Sequence, residues 1–134
     1  MSRIFDKTTD ALATSLKLRQ LRNNVTISNI TNADTPHYHA QKVDFEDALA
    51  KSLEIDDQNK MTATHSDHFI SGDIPSINAE VYENPDVEVS NDGNTVNREK
   101  EMAALSENSI MYKSALQLIN KKLAAMKYAI GEGR

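Results

Sequence analysis

The residues of this chain best equipped for chemistry are its four histidines. His37 and His39 stand two apart, His65 and His68 three apart, and Asp67 and Asp73 lie close to the second pair. Imidazoles at i and i+3 can offer two nitrogens to one metal ion if a helix carries them. The surrounding "THSDHFISGD" has the composition of a loop, however, and fixes no third strong ligand. Solvated or cap-forming histidines are the plainer reading, and no metal is assigned. The chain contains no cysteine, which removes thiolate ligands, disulfides and a cysteine nucleophile. Gly72 and Gly93 stand alone rather than in a phosphate-cradling loop, and no serine occupies a nucleophile elbow. Carboxylate pairs such as Asp56 and Asp57 lack the apolar neighbours that acid catalysis needs. No enzyme activity and no cofactor are expected.

The elements that would position any site are easier to read. In the C-terminal third, Met102, Leu105, Ser109, Tyr112, Leu116, Ile119, Leu123, Met126 and Ile130 follow spacings of three and four, a heptad seam suited to packing along another helix. Asn97 is placed to cap this helix, Glu99 and Glu101 suit its positive first turn, and Gly131 and Gly133 end it. At 1.5 Å per residue the helix would be roughly 50 Å long, more than a compact domain of this size covers. A second stripe, with Met111 and Leu118 between Ala104 and Ala125, recurs every seven residues on another face.

The N-terminal segment, about residues 4 to 32, also has two apolar sides. Phe5, Leu12, Leu16, Ile27 and Ile30 cluster on one, and Ile4, Ala11, Leu18, Leu21 and Val25 nearly opposite. No third long helix is available to bury the second side. Pro36 lacks an amide donor and keeps Thr35 out of the helical region, so this helix must stop before it. Asp44 can then cap a short helix that places Phe45, Leu49 and Leu53 on one face. Beyond it come brief extended patches, "AEVYE" and "VEV", and the stretch "VEVSNDGNTV" reads as a hairpin around an Asn-Asp-Gly-Asn turn.

The expected fold is mainly α. Long N- and C-terminal helices (residues 1–34 and 97–134) pair as an antiparallel coiled coil, and residues 35–96 supply a turn, a short helix and an irregular or small β-hairpin segment, all as one structural unit. Only 5% of residues are aromatic and there is no Trp, so aliphatic side chains must carry the packing. Acidic residues dominate positions 44–101, whereas Lys and Arg outnumber them in both end segments. Those basic residues surround helix-like stretches without aromatic residues placed to stack on bases, so no nucleic acid is expected. No apolar run approaches the roughly 20 residues that span a bilayer. "MSRIFDKTTDALATSL" lacks the apolar core of a cleaved secretory signal, and any export is expected to proceed without one.

The two ends carry a resemblance. "NITNADTPHYHA", with Asn29, Ile30, Asn32, Ala33, Thr35, Pro36 and Tyr38, resembles the Asn-(Ile/Leu)-Ala-Asn-Ala-x-Thr-Pro-Gly-Tyr segment of the bacterial flagellar rod and hook proteins. "VNREKEMAALSENSIMYKSALQLINKKL" resembles the final helix of the same family, and the two motifs occur in the family's order. The small size and the continuation "VDFEDAL" are most similar to the proximal rod members. His37 replaces the family's Gly and Thr31 its usual Ala. If the former position is left-handed, His bears a steric cost that Gly avoids.

The resemblance implies a structural subunit of the flagellar basal body, located in the periplasmic rod. Its terminal helices would pack within the chain and against neighbouring subunits through Leu12, Leu16, Leu18, Leu21, Val25, Ile27, Ile30, Met102, Leu105, Met111, Tyr112, Leu116, Leu118, Ile119, Leu123, Met126 and Ile130. Implied partners are further copies, other rod proteins, the MS-ring/rod adaptor, the export gate and the flagellar type III export apparatus, with no membrane insertion. The competing reading is a soluble helical-hairpin adaptor resembling an export chaperone.

Overall fold

A computed structural model describes residues 7–58 and 79–131, with the side chains of Lys7 and of residues 54–58 excepted. Ile4, Phe5, His65, His68, Asp67, Gly72, Asp73 and Gly133 lie outside the described residues, as do the side chains of Asp56 and Asp57. The order of elements is helix α1 (Lys7–Thr31), strand β1 (Gln41–Val43), helix α2 (Phe45–Gln58), strand β2 (Val81–Glu83) and helix α3 (Arg98–Gly131). The chain is mainly helical, and no described helix is long and apolar enough to cross a membrane.

Each helix starts and stops for a local reason. Asn97 caps α3: its Oδ1 accepts the Lys100 N–H at 3.0 Å and its carbonyl accepts the Glu101 N–H at 3.0 Å. Asp44 caps α2 more loosely, its Oδ1 accepting the Asp47 N–H at 3.4 Å. At the end of α1 the Thr31 hydroxyl donates to the Ile27 carbonyl at 2.8 Å. The chain then leaves through Asn32–Thr35, with Pro36 unable to extend the ladder.

The strand pairing corrects one sequence expectation. "VEVSNDGNTV" does turn back on itself, with the Gly93 N–H donating to the Ser90 carbonyl and the Ser90 N–H to the Asn94 carbonyl. Its arms form no described strand, because Thr95 pairs elsewhere, donating its N–H to the Tyr38 carbonyl. The antiparallel pair is instead β1 with β2, in the register Gln41 to Glu83 and Val43 to Val81. It is extended by Asp44 N–H to Glu80 carbonyl and Asn84 N–H to Ala40 carbonyl bonds.

α1 is the centre of the molecule. α3 lies along one side of it, and α2 and β1 cover another. Polar contacts between the two ends include Arg98 with Asp34, just past α1, and Asn108 of α3 with Arg19 of α1. Leu18 packs with Phe45 and Ala48, and Leu49 and Ala79 join this cluster. A short helix therefore covers Leu18, on one of the two apolar sides of α1. Half of the buried residues among those described are polar: Thr9, Thr26, Asn29, Asn94, Thr95 and Asn108, against Leu18, Ala40, Val43, Phe45, Ala48 and Ala115. Such an interior depends on its amides being paired, since a buried unpaired polar group is costly.

Candidate functional site

The corner where α1 ends is built from side-chain amides that act as backbone. Asn29, 1% exposed, donates its Nδ2–H to the Gln41 carbonyl at 2.8 Å and accepts the Gln41 N–H at 3.0 Å. The Tyr38 hydroxyl donates to Asn29 Oδ1 at 3.3 Å, and the Ser28 hydroxyl lies 3.4 Å from the Tyr38 hydroxyl. Asn94 enters from the far side of the sequence. Its Nδ2 group donates to the carbonyls of Asn32 and Thr35 at 2.9 and 2.7 Å, in the turn just past α1, while its Oδ1 accepts the Val96 N–H. Thr95 Oγ1 accepts the Ala40 N–H at 2.8 Å, and Arg98 pairs with Asp34 at 2.6 Å. One latch thus ties the exit of α1 to the entry of α3.

His37 sits on the outside of this latch with φ at 59°, the one described non-glycine residue with positive φ. Its N–H donates to the Asp92 carbonyl at 3.1 Å, and its imidazole lies over Gly93, itself at φ 79°. A Cβ on Gly93 would come 2.5 Å from His37 Nδ1. Gly93 thus supplies both the left-handed turn and the space for an imidazole that another residue would not leave. Among the described residues, no group of three or more His, Cys, Asp or Glu is placed to hold a metal ion.

A second junction joins the three helices further along. Asn108 on α3 donates from Nδ2 to the Arg19 carbonyl and to Asn23 Oδ1, both at 2.8 Å, and accepts from an Arg19 guanidinium nitrogen at 3.2 Å. The same guanidinium lies 4.8 Å from the centre of the Phe45 ring, and that of Arg22 lies 4.6 Å from it. Such cation–π contacts explain how two arginines tolerate each other beside α2. Burial, then the nearby Arg22 charge, pulls the Arg19 pKa below its usual value, while Glu46 and Glu107 oppose this.

The residues expected to pack separate into three groups. Leu18 is buried; Leu12, Leu16, Leu21, Val25, Ile30, Leu105, Tyr112, Ile119 and Met126 are half-buried; Ile27, Met102, Met111, Leu116, Leu118, Leu123 and Ile130 are exposed. Of the motif residues, Asn29 is buried, Ile30, Asn32, Ala33 and Tyr38 are half-buried, and Thr35 and Pro36 are exposed. The seam of α3 is therefore turned relative to the expected one. The column of Leu105, Tyr112, Ile119 and Met126 remains, but Asn108 and Ala115 are buried beside it where Ser109 and Leu116 were expected. Arg19, Asn94, Thr95 and Asn108 were not singled out from sequence. An Asn at position 108, in heptad step with Ala115, was the available signal.

These features describe a mainly helical chain held by polar latches, with apolar side chains on two sides of α3 exposed among the described residues. No family model matches the chain. Flagellar basal body rod protein FlgB of Cereibacter sphaeroides is 36% identical over 118 residues, covering 88% of this chain and 89% of that protein. FlgB of Escherichia coli is 32% identical over 124 residues, with 89% of each covered, and that of Aeromonas hydrophila is 30% identical over 126 residues, with 94% of each covered. The chain belongs to the flagellar basal body rod protein FlgB family.

Proposed function

We propose that this chain is a structural subunit of the proximal rod of the flagellar basal body and that it polymerises through its terminal helices. In this reading α1 and α3 pair as an antiparallel coiled coil, residues 1–34 and 97–134, and residues 35–96 form the corner and outer segment. The observation that carries it is the exposure of Met102, Ile110, Met111, Leu116, Leu118, Leu123 and Ile130 on a helix already packed against α1. No described element covers these side chains on either side of α3, and a subunit surrounded by copies would cover them. Torque would pass through many shared contacts between neighbours rather than through one subunit's small core.

The partners in this reading are other copies, the other rod proteins, the MS-ring/rod adaptor and the export gate. The chain would reach the periplasm through the flagellar type III apparatus without a cleaved signal peptide. Deletion of the gene should abolish motility and leave basal bodies without a rod when isolated and viewed by electron microscopy, with complementation restoring both. Complete rods in the deletion strain would overturn the reading. A small complex of defined size with one other protein, in place of open-ended association, would favour a helical-hairpin adaptor.

A further inference from the structure

Two faces of α3 compete for α1. Both contain the column of Leu105, Tyr112, Ile119 and Met126. A small rotation about that column brings in either Asn108, Ala115 and Lys122 or Ser109, Leu116 and Leu123. Apolar burial alone favours the second face, because two leucines would leave water in place of an alanine and a lysine stem. The chain takes the first: Asn108 and Ala115 are 4% and 8% exposed, while Leu116 and Leu123 are 40% and 41% exposed.

Hydrogen bonding separates the two faces. The α1 seam holds Arg19 and Asn23, both half-buried, and Asn108 satisfies them with three bonds of 2.8, 2.8 and 3.2 Å. In the competing rotation Asn108 would swing toward water and return to hydration at little cost. Arg19 and Asn23 would then face apolar side chains without that partner. We infer that Asn108 is a positioning residue: its bonds to Arg19 and Asn23 choose the inward face of α3 and hold Leu116 and Leu123 at the surface. One buried polar residue at a seam position is known to select among otherwise similar helix pairings. Under the rod reading above, the same choice leaves these two leucines for a neighbouring subunit.

The chain has no cysteine, so single thiols report the rotation. Ala115→Cys and Leu116→Cys are each made in the parent chain and with Asn108→Ala, and their reaction with a water-soluble maleimide is timed on the unassembled protein. In the parent, position 116 should react faster than position 115. Asn108→Ala should reverse the order, lowering the ratio by about tenfold, the population change expected when a buried hydrogen-bonding group loses its partners. A reciprocal change of this kind is not produced by simple loosening, which accelerates both thiols. An unchanged ratio, or parallel acceleration in a variant that stays helical by circular dichroism, would overturn the inference. If Asn108→Ala melts the helix, Asn23→Ala decides, since it removes one acceptor only: the same reciprocal change in smaller measure supports the assignment and parallel rates refute it. Because the rates are read without any rod, a failed rod assignment would leave them unaffected.

Discussion

Asn29 and Gln41 are paired as two neighbouring strands would be, although one partner is a side chain on a helix. The Asn29 amide meets both the carbonyl and the N–H of Gln41, at 2.8 and 3.0 Å, and also receives the Tyr38 hydroxyl. Truncation to Ala would leave two backbone groups and a phenol without these partners in a site that is 1% exposed at Asn29. Asn29→Ala should therefore cost about 2–3 kcal/mol, one to two buried hydrogen-bonding groups' worth, in chemical denaturation. Asn29→Gln should not recover it, because the longer side chain cannot hold both bonds at once.

His37 and Gly93 make a coupled pair. Gly93→Ala places a methyl 2.5 Å from His37 Nδ1 and asks an L-residue to hold φ at 79°, so a loss of about 1–3 kcal/mol is expected. His37→Gly removes both the imidazole and the strain of a non-glycine at φ 59°. The greater chain entropy of Gly offsets part of this, and the net effect should be within about 1 kcal/mol. In the double variant the steric part of the Gly93→Ala penalty should disappear while the backbone part remains. A double-mutant cycle in urea measures the difference, and strict additivity would show that the imidazole does not crowd Gly93.

Thr9 offers a stabilising change. It is 6% exposed, and its hydroxyl is the one described buried side-chain polar atom without a hydrogen-bond partner. Thr9→Val keeps the shape and removes the desolvated oxygen, and should raise stability by about 1 kcal/mol in thermal or urea unfolding. Thr9→Ser, which keeps the hydroxyl and deletes the methyl, should lower it.

The parts of the fold legible in the sequence were those set by neighbours in the chain. Asn97 and Asp44 cap helices because a cap needs partners only three or four residues on, and Pro36 closes off α1 through its own ring and its effect on Thr35. Apolar spacing also located the Leu105, Tyr112, Ile119 and Met126 column. It could not orient the rest of α3, because spacing ranks residues by water avoidance and Asn108 is buried for partners 85 and 89 positions away. The same distance hides the latch: Asn94 reads as a turn residue until the end of α1 lies beside it, 59 and 62 positions earlier in the chain. The resemblance raised a left-handed backbone at position 37 only as a condition, and His37 takes it, with φ at 59°.

The exposed face of α3 can be tested apart from folding. Leu118 is 55% exposed and Ile110 is 65% exposed, and α1 is the only described element packed along their helix. Leu118→Lys and Ile110→Lys should each change the stability of the unassembled chain by no more than about 0.5 kcal/mol, as surface substitutions do. If these residues meet a neighbour in the rod, a lysine there must be desolvated without a partner, and contact at every subunit multiplies the cost along the polymer. Motility in soft agar should therefore be lost or sharply reduced, with the variant protein present at normal levels. Ala115→Leu gives the opposite control: it overfills the buried seam, should cost about 1–3 kcal/mol in the free chain, and should act through folding rather than through the outer face. Normal swimming by both lysine variants would mean that this face of α3 does not meet a neighbour.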